Sequence, residues 1–366
     1  MVTRKPAAKK AAPRARRTGP AALPPKTARR RAALSEESPY FARLAADKKL
    51  PFVESGCKLL DCVLGGGYVL GRVVNIVGDR SSGKTLLAIE ASANFKRQYP
   101  KGVIRYLEAE AAFDEEYAQA LGMPTSAVSF ATDIDTIEGW FADLNKTMDA
   151  LPEGVPCLYV VDSLDSLSDT KEMARKDDED SFGAAKAKKI SEGFRKIIRR
   201  IEEKQVLLVV ISQLRDNIGA MYGAKTKRSG GRALDFYASH ILWLAEIGKS
   251  KKTINGVERV VGINVKATCK KNKVGMAYRE CAFTLVFGYG IDDVSANVEW
   301  LLTVAGGAAV LETLRLTAKG YKAALSRLRD QGAEAMAPVR EQLNNAVVQA
   351  WRDVEVEFLP KAGKYG

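Results

Sequence analysis

Four short runs along the chain are almost continuously apolar: Val73–Val77, Val103–Leu107, Cys157–Val161 and Val206–Ile211. Val, Ile and Leu dominate them, as in strands buried on both faces of a parallel sheet. Between the last two, Ile190, Phe194, Ile197, Ile198 and Ile201 recur at helical spacing and predict a helix over about 181–204. Lys188, Lys189, Lys196, Arg199 and Arg200 fill its other positions, a basic face read by default as solvated. Tyr40 to Leu50 reads as a short amphipathic helix and Pro51–Val53 as an extended link. Two β-rich stretches follow within 257–287. Gly306-Gly307 then marks a break before helical segments over 308–330 and 334–354. Strands alternating with helices predict an α/β fold around a mostly parallel central sheet, with a short N-terminal helix and linker and a small helical C-terminal region. The boundaries fall at 1–36, 37–54, 55–300 and 301–366.

Charge changes the picture at one end only. The 57 Lys and Arg outnumber 44 Asp and Glu, a formal charge of +13. Residues 1–34 hold 11 of the basic residues, no acidic one and five of the 13 prolines. That composition describes a disordered basic arm. Without it the body is near neutral, 46 basic against 44 acidic. No 7–15-residue apolar segment follows the arm, which argues against a secretory signal. A transit peptide fits the Arg/Ala bias but not Pro24-Pro25, and a merely solubilising extension is the bland alternative. The favoured reading is a tail that binds nucleic acid without sequence preference. No apolar stretch reaches the 18 or so residues of a membrane span.

The single histidine, His240, excludes zinc sites built on several histidines and reads as structural, at a strand start before Ile241–Leu244. Five cysteines without a CxxC read as reduced core residues.

Gly78-Asp79-Arg80-Ser81-Ser82-Gly83-Lys84-Thr85 matches GxxxxGK[ST] between a strand and the helical run Leu86–Phe95, the context in which that motif cradles nucleotide phosphates. Backbone N–H groups and the helix N-terminus favour the anion. Lys84 would reach the β- and γ-phosphates, and Thr85 would ligate Mg²⁺. Leu158–Asp162 is an apolar strand ending in a carboxylate that would help hold the metal, a weak signal alone and a strong one beside the phosphate loop. Glu108 and Glu110, at the end of another strand, are both placed to act on an attacking water.

Beyond these, Glu108–Asp114 with Tyr117 resembles the acidic stretch of bacterial RecA recombinases. Ser212-Gln213-Leu214-Arg215, Ile218-Gly219, Met221-Tyr222-Gly223 and Ser229-Gly230-Gly231 resemble that family's glutamine switch and second DNA loop. Ala233-Leu234, Phe236–Ser239, Lys271-Asn272-Lys273 and Phe287–Ile291 continue the match, which runs from about Ser55 to Leu301.

The resemblance implies a RecA-like P-loop ATPase core, with ATP and Mg²⁺ as cofactors. It implies a DNA-dependent ATPase that forms helical filaments on single-stranded DNA and exchanges strands with duplex DNA. Glu110 would be the catalytic carboxylate, Asp114 and Tyr117 would contact adenine, and Gln213 would sense the γ-phosphate. Lys271 and Lys273 would reach a neighbouring protomer's ATP. Residues 171–183 would form the first DNA loop and 214–232 the second. DNA contacts would come from Lys188, Arg215, Asn217, Ile218, Gly219, Met221, Lys225, Lys227, Arg228, Ser229, Gly230, Gly231 and Arg232. Residues 37–54 would touch the next protomer. Accessory partners would be single-strand-binding and mediator proteins, in the cytoplasm of a bacterium or phage-infected host.

The match has departures. Ser212 replaces an Asn, Ala111 follows the catalytic Glu, Asp235 and Ile241 occupy positions where basic interface residues are usual, and no acidic tail ends the chain. A hexameric RecA-fold helicase and a non-catalytic recombinase paralogue are the rival readings. Deleting residues 1–34 is expected to weaken DNA binding at low salt and flatten its salt dependence, while leaving ATPase at saturating DNA intact. Loss of that ATPase would refute this role for the arm.

Overall fold

The computed structural model describes residues 50–170, 182–216, 226–228 and 231–360. The basic arm, the helix expected over Tyr40–Leu50, most of the first DNA loop and much of the second lie outside the described residues.

The chain enters through β1 (Phe52–Val53), α1 (Lys58–Leu64) and β2 (Tyr68–Val69), with β1 and β2 paired antiparallel. The α/β alternation follows: β3 (Val73–Gly78), α2 (Lys84–Gln98), β4 (Val103–Glu108), α3 (Glu115–Ala120), β5 (Val128–Ala131), α4 (Ile137–Ala150), β6 (Cys157–Asp162), α5 (Phe182–Glu203) and β7 (Val206–Asp216). Then come β8 (Thr226–Arg228), α6 (Gly231–Tyr237), β9 (His240–Ile254), β10 (Val257–Asn272), β11 (Arg279–Val286) and β12 (Gly290–Ile291). Four helices complete the described chain: α7 (Asp293–Leu301), α8 (Gly307–Thr313), α9 (Tyr321–Asp330) and α10 (Ala333–Glu357).

The central sheet runs β12-β11-β10-β9-β3-β7-β6-β4-β5, with β8 paired to the end of β7. From β9 to β5 every pairing is parallel, and β10, β11 and β12 extend the sheet antiparallel. This is the expected mostly parallel α/β sheet. Its strands split their side chains between two clusters. Val74 and Ile76 of β3 face a core shared with α1, α2 and the C-terminal helices, and Val73 and Val77 face one built on α4, α5 and α6.

Helix α5 buries Ile190, Phe194, Ile197 and Ile201 as its spacing predicts. Trp140, Phe141, Phe194 and Tyr237 stack at its centre with centroids 4.5–5.9 Å apart. Each such ring removed from water contributes about 2–3 kcal/mol. The basic face of α5 is not purely solvated. Lys189 pairs with Glu138 at 3.1 Å, and Arg200 pairs with Asp149, both partners lying on α4.

Two further differences are local. The helix expected over 308–330 is two helices, α8 and α9. Arg315 adopts a left-handed φ of +57° between them, and Thr317 Oγ1 accepts the Gly320 N–H. The strands β9 and β10 form a hairpin far longer than the apolar pattern suggests. All ten residues from Lys251 to Val260 at its tip are exposed, so no buried face marks them in the sequence.

The C-terminal helices are part of the core. Leu311, Leu316, Leu325, Met336, Leu343, Val347 and Trp351 join the β3-facing cluster, and the Arg279 fork on β11 grips Glu355 of α10. All five cysteines are buried and unbridged. Among the described residues, no helix is long and apolar enough to cross a membrane.

His240 is fully buried at the start of β9, its Nε2 3.0 Å from the Leu64 carbonyl oxygen. Burial pushes its pKa down to about 4, against a weaker upward pull from that carbonyl. The unfolded chain binds this proton near pH 6.5, so the stabilisation is complete above about 6.5 and lost as pH falls towards 4, by roughly 3 kcal/mol in all. NMR titration of this single imidazole in the folded protein is expected to show no protonation above about pH 5. A midpoint near 6 would contradict it.

Candidate nucleotide and DNA site

Parallel pairing brings the chemistry-bearing strand ends together. Gly78 at the end of β3 pairs with Gln213 on β7, and Glu108 at the end of β4 pairs with Asp162 at the end of β6. The loop after β3 curls onto α2 through Gly83, whose φ of +89° suits glycine, and a Cβ there would lie 2.1 Å from Leu285 Cδ1. Lys84 and Thr85 are the first residues of α2, so its N-terminus opens onto the loop.

Above these ends lies a cavity of about 770 Å³, within the range of small-ligand pockets. Arg80, Ser81, Gly83, Lys84 and Thr85 line one wall. Glu110, Asp162 and Gln213 line the cavity as well, together with Phe113, Asp114, Tyr117 and Phe287. Of the remaining phosphate-loop residues, Gly78 is buried, Asp79 is exposed, and Ser82 Oγ donates to the Asp79 carbonyl at 2.8 Å. Lys84 Nζ donates to the same carbonyl at 2.6 Å. Burial lowers the Lys84 pKa, opposed by Asp162, Glu110, Asp165 and Asp79 around it.

Asp162 is buried, and desolvation pushes its pKa up to about 6. Hydrogen bonds from the Tyr106 and Thr85 hydroxyls pull the other way, and Glu110 and Glu108 add to the rise. The Tyr106 hydroxyl donates to Asp162 Oδ2 at 2.8 Å. Thr85 and Asp162 therefore present two hard oxygen donors side by side. That set fits Mg²⁺, which takes one or two protein ligands and fills its octahedron with water and phosphate oxygens. Among the described residues no cluster of three or more His, Cys, Asp or Glu forms a closed metal cage.

The two candidate carboxylates have different surroundings. Glu108 is buried and accepts the backbone N–H groups of Glu110, Ala111 and Ala112, each at 3.1 Å. It fastens the loop after β4. Glu110 is exposed and lines the cavity, where its Oε1 accepts from Gln213 Nε2 at 2.8 Å and from the Ser163 hydroxyl. Gln213 is itself placed by its N–H, which donates to Asp165 Oδ2 at 2.7 Å. Beneath it, Asn75 Nδ2 donates to Ser212 Oγ at 2.8 Å and to the Val210 carbonyl at 2.9 Å. A buried side-chain pair thus stands at the position where Ser212 departs from the RecA pattern.

Asp114 is the N-cap of α3, accepting the Tyr117 N–H at 2.9 Å, and Tyr117 stands half-buried in the wall. Lys271 and Lys273 lie elsewhere. Their ammonium groups donate to the Asp235 and Phe236 carbonyls at the end of α6. Lys271 pairs with Ile241 near the start of β9, towards the edge of the sheet away from the phosphate loop and about 10–15 Å along the strand. Ile241 is buried core rather than a surface contact.

The expected second DNA loop begins and ends in regular structure. Strand β7 continues through Arg215 to Asp216, and β8, carrying Lys227 and Arg228, returns against it. Gly231 and Arg232 open α6. Asn217, Ile218, Gly219, Met221, Lys225, Ser229 and Gly230 lie outside the described residues. Lys188 is exposed on α5. Ser163, Asp165, Tyr106 and Asn75 have no role in the sequence reading, and Phe287 enters it only within the Phe287–Ile291 match. Ser163 and Asp165 had a signal, polar residues directly after Asp162, while the others face the site only through long-range pairing.

Comparison with known proteins identifies the family. The RecA N-terminal domain family model matches residues 42–292. Protein RecA of Limosilactobacillus reuteri is 34% identical over 249 residues, covering 68% of this chain and 66% of that protein. Protein RecA of Chloroherpeton thalassium is 33% identical over 252 residues, 69% of this chain and 68% of its own length. Protein RecA of Synechocystis sp. is 34% identical over 260 residues, 70% and 69% of the two chains. The match thus spans about two thirds of each relative's length.

The contrast between the two carboxylates is measurable. Glu108→Ala strands three backbone donors and is expected to cost about 2 kcal/mol in urea unfolding. Glu110→Ala should change stability by no more than about 0.5 kcal/mol. Equal losses would show that Glu108 does not fasten the loop.

Proposed function

This chain belongs to the RecA family, and from that premise we propose that it is a DNA-dependent ATPase that assembles on single-stranded DNA as a helical filament and exchanges strands with homologous duplex. One observation carries the reading: the carboxylate that would act on water, Glu110, is hydrogen-bonded to Gln213 on the strand that runs directly into the β7–β8 hairpin.

ATP enters the cavity with its phosphates on the loop Gly78–Thr85. Lys84 exchanges its bond to the Asp79 carbonyl for the β- and γ-phosphate oxygens. Thr85 and Asp162 would hold Mg²⁺, which would supply neutralisation of the phosphate charge. Asp114 and Tyr117 flank the adenine. Glu110 accepts hydrogen bonds on Oε1 from Ser163 and Gln213, leaving Oε2 to orient the attacking water and take its proton.

Gln213 is the coupling element. Its amide rests on Glu110 here. DNA on Arg215, Lys227, Arg228 and the rest of 214–232 shifts the end of β7, so the amide leaves Glu110 Oε1 and meets the γ-phosphate. Lys271 and Lys273, remote from the pocket of their own protomer, supply positive charge to the ATP of a neighbour, which makes turnover depend on assembly. In this reading residues 55–300 are the motor and 37–54 the contact to the next protomer.

Glu110→Gln should lose ATP turnover on the order of a hundredfold or more while keeping single-stranded DNA binding. Electron microscopy with single-stranded DNA and a nonhydrolysable ATP analogue should show open helical filaments, and the wild-type chain should exchange strands. Closed rings, or ATPase at full rate without DNA, would sink the reading.

A further inference from the structure

The C-terminal helices have no part in the proposed ATPase cycle, yet they grip one wall of the nucleotide cavity. That wall is the turn between β11 and β12. Phe287, at its first position, is 58% exposed and lines the cavity, as Tyr117 does. The backbone of Gly288 hydrogen-bonds the Tyr117 hydroxyl, so the two aromatic walls are tied together. Tyr289 follows, on the side away from the cavity, and the chain returns through Gly290 and Ile291 to Asp292, the N-cap of α7.

The backbone of the turn is held by the Tyr289 N–H, which donates to the Val286 carbonyl at 3.1 Å, and by the Phe287 N–H, which donates to the Val261 carbonyl of β10 at 2.9 Å, so what remains to be set from outside is the lie of its side chains. On the outer side, Arg329 of α9 reaches both arms of the return. Its guanidinium lies 5.8 Å from the Tyr289 ring centroid, within cation–π range, and donates to Asp292 Oδ1 and Ser295 Oγ. From α10, Arg340 pairs with Asp293 at 3.0 Å. From α2, Glu90 Oε1 accepts the Ile291 N–H at 3.0 Å, and a side chain at Gly290 (φ +97°) would strike the same carboxylate. Helix α9 is itself braced on α7, where the Tyr321 hydroxyl donates to Glu299 at 2.8 Å.

Resting on the assignment of this cavity to ATP, we propose that Arg329 is a positioning residue for the nucleotide base: by stacking on Tyr289 and bonding Asp292 it holds Phe287 against the base-binding side of the pocket. A guanidinium suits the task because its planar fork can stack and donate in two directions at once. The phosphates are assigned to the loop Gly78–Thr85, which meets β11 at Leu285 rather than at Phe287. Arg329 should therefore tune recognition of the base and leave recognition of the polyphosphate alone.

The test uses the full chain with Mg²⁺ and two titrants, ATP and inorganic tripolyphosphate, with affinity read by calorimetry. Base stacking on an aromatic wall is worth enough that its loosening should weaken ATP binding by about three- to tenfold in Arg329→Ala. Tripolyphosphate affinity should stay within about twofold. Tyr289→Leu keeps the ion pair and removes the stack, and should shift ATP in the same direction by less. Phe287→Ala, at a side chain more than half exposed, should shift ATP at least as far as Arg329→Ala.

Unchanged ATP affinity in Arg329→Ala would overturn the proposal. So would a parallel loss for ATP and tripolyphosphate, which is what general loosening of the fold produces. A wild-type chain that binds neither titrant would overturn the nucleotide reading itself and this inference with it.

Discussion

The parallel register of β3, β7, β6 and β4 is the constraint from which the site follows. A parallel sheet ends its strands along one edge, and here that edge is chemically loaded. Gly78 lies beside Gln213 and Glu108 beside Asp162 because backbone hydrogen bonds put them there. A slip of one residue in β7 would turn Gln213 to the opposite face and carry Ser212 away from Asn75. The buried Asn75–Ser212 bond opposes that slip, since moving either partner leaves a polar group unsatisfied in an otherwise apolar layer.

Electrostatics then concentrates on the edge. Asp162, Glu110, Asp165 and Asp79 crowd around the ammonium of Lys84, and Glu108 adds its charge beside Asp162. Glu108 is spent on backbone N–H groups, and Tyr106 steadies Asp162. The remaining negative charge favours a divalent cation and, through it, a polyphosphate. Under the proposed function, this charge balance would favour a metal–nucleotide complex over either component alone.

Much of this was legible in the linear chain. Buried parallel strands write themselves as apolar runs, and the phosphate loop carries its own spacing, so β3, β4, β6, β7 and residues 78–85 could be read directly. The β9–β10 hairpin could not, because a ribbon exposed on both sides imposes no alternation on its residues. The division of labour between Glu108 and Glu110 was also hidden. Two carboxylates two residues apart at a strand end look alike until one turns inward to the backbone. Arg329 and Asn75 were silent for another reason: their partners lie 37 and 137 residues away, Asp292 and Ser212.

The integration of α7–α10 into the β3-facing cluster has a consequence for biosynthesis. Leu343, Val347 and Trp351 fill the layer that covers the sheet, and Glu355 closes the fork of Arg279 on β11. A ribosome extends the chain from its N-terminus, so the strands and phosphate loop emerge well before the helix that seals them. Until α10 is released, the nascent sheet has an uncovered apolar face and a half-supported wall beside the nucleotide. The protein thus becomes competent late and as a unit, its last described helix acting as the closing stitch of a core begun some three hundred residues earlier.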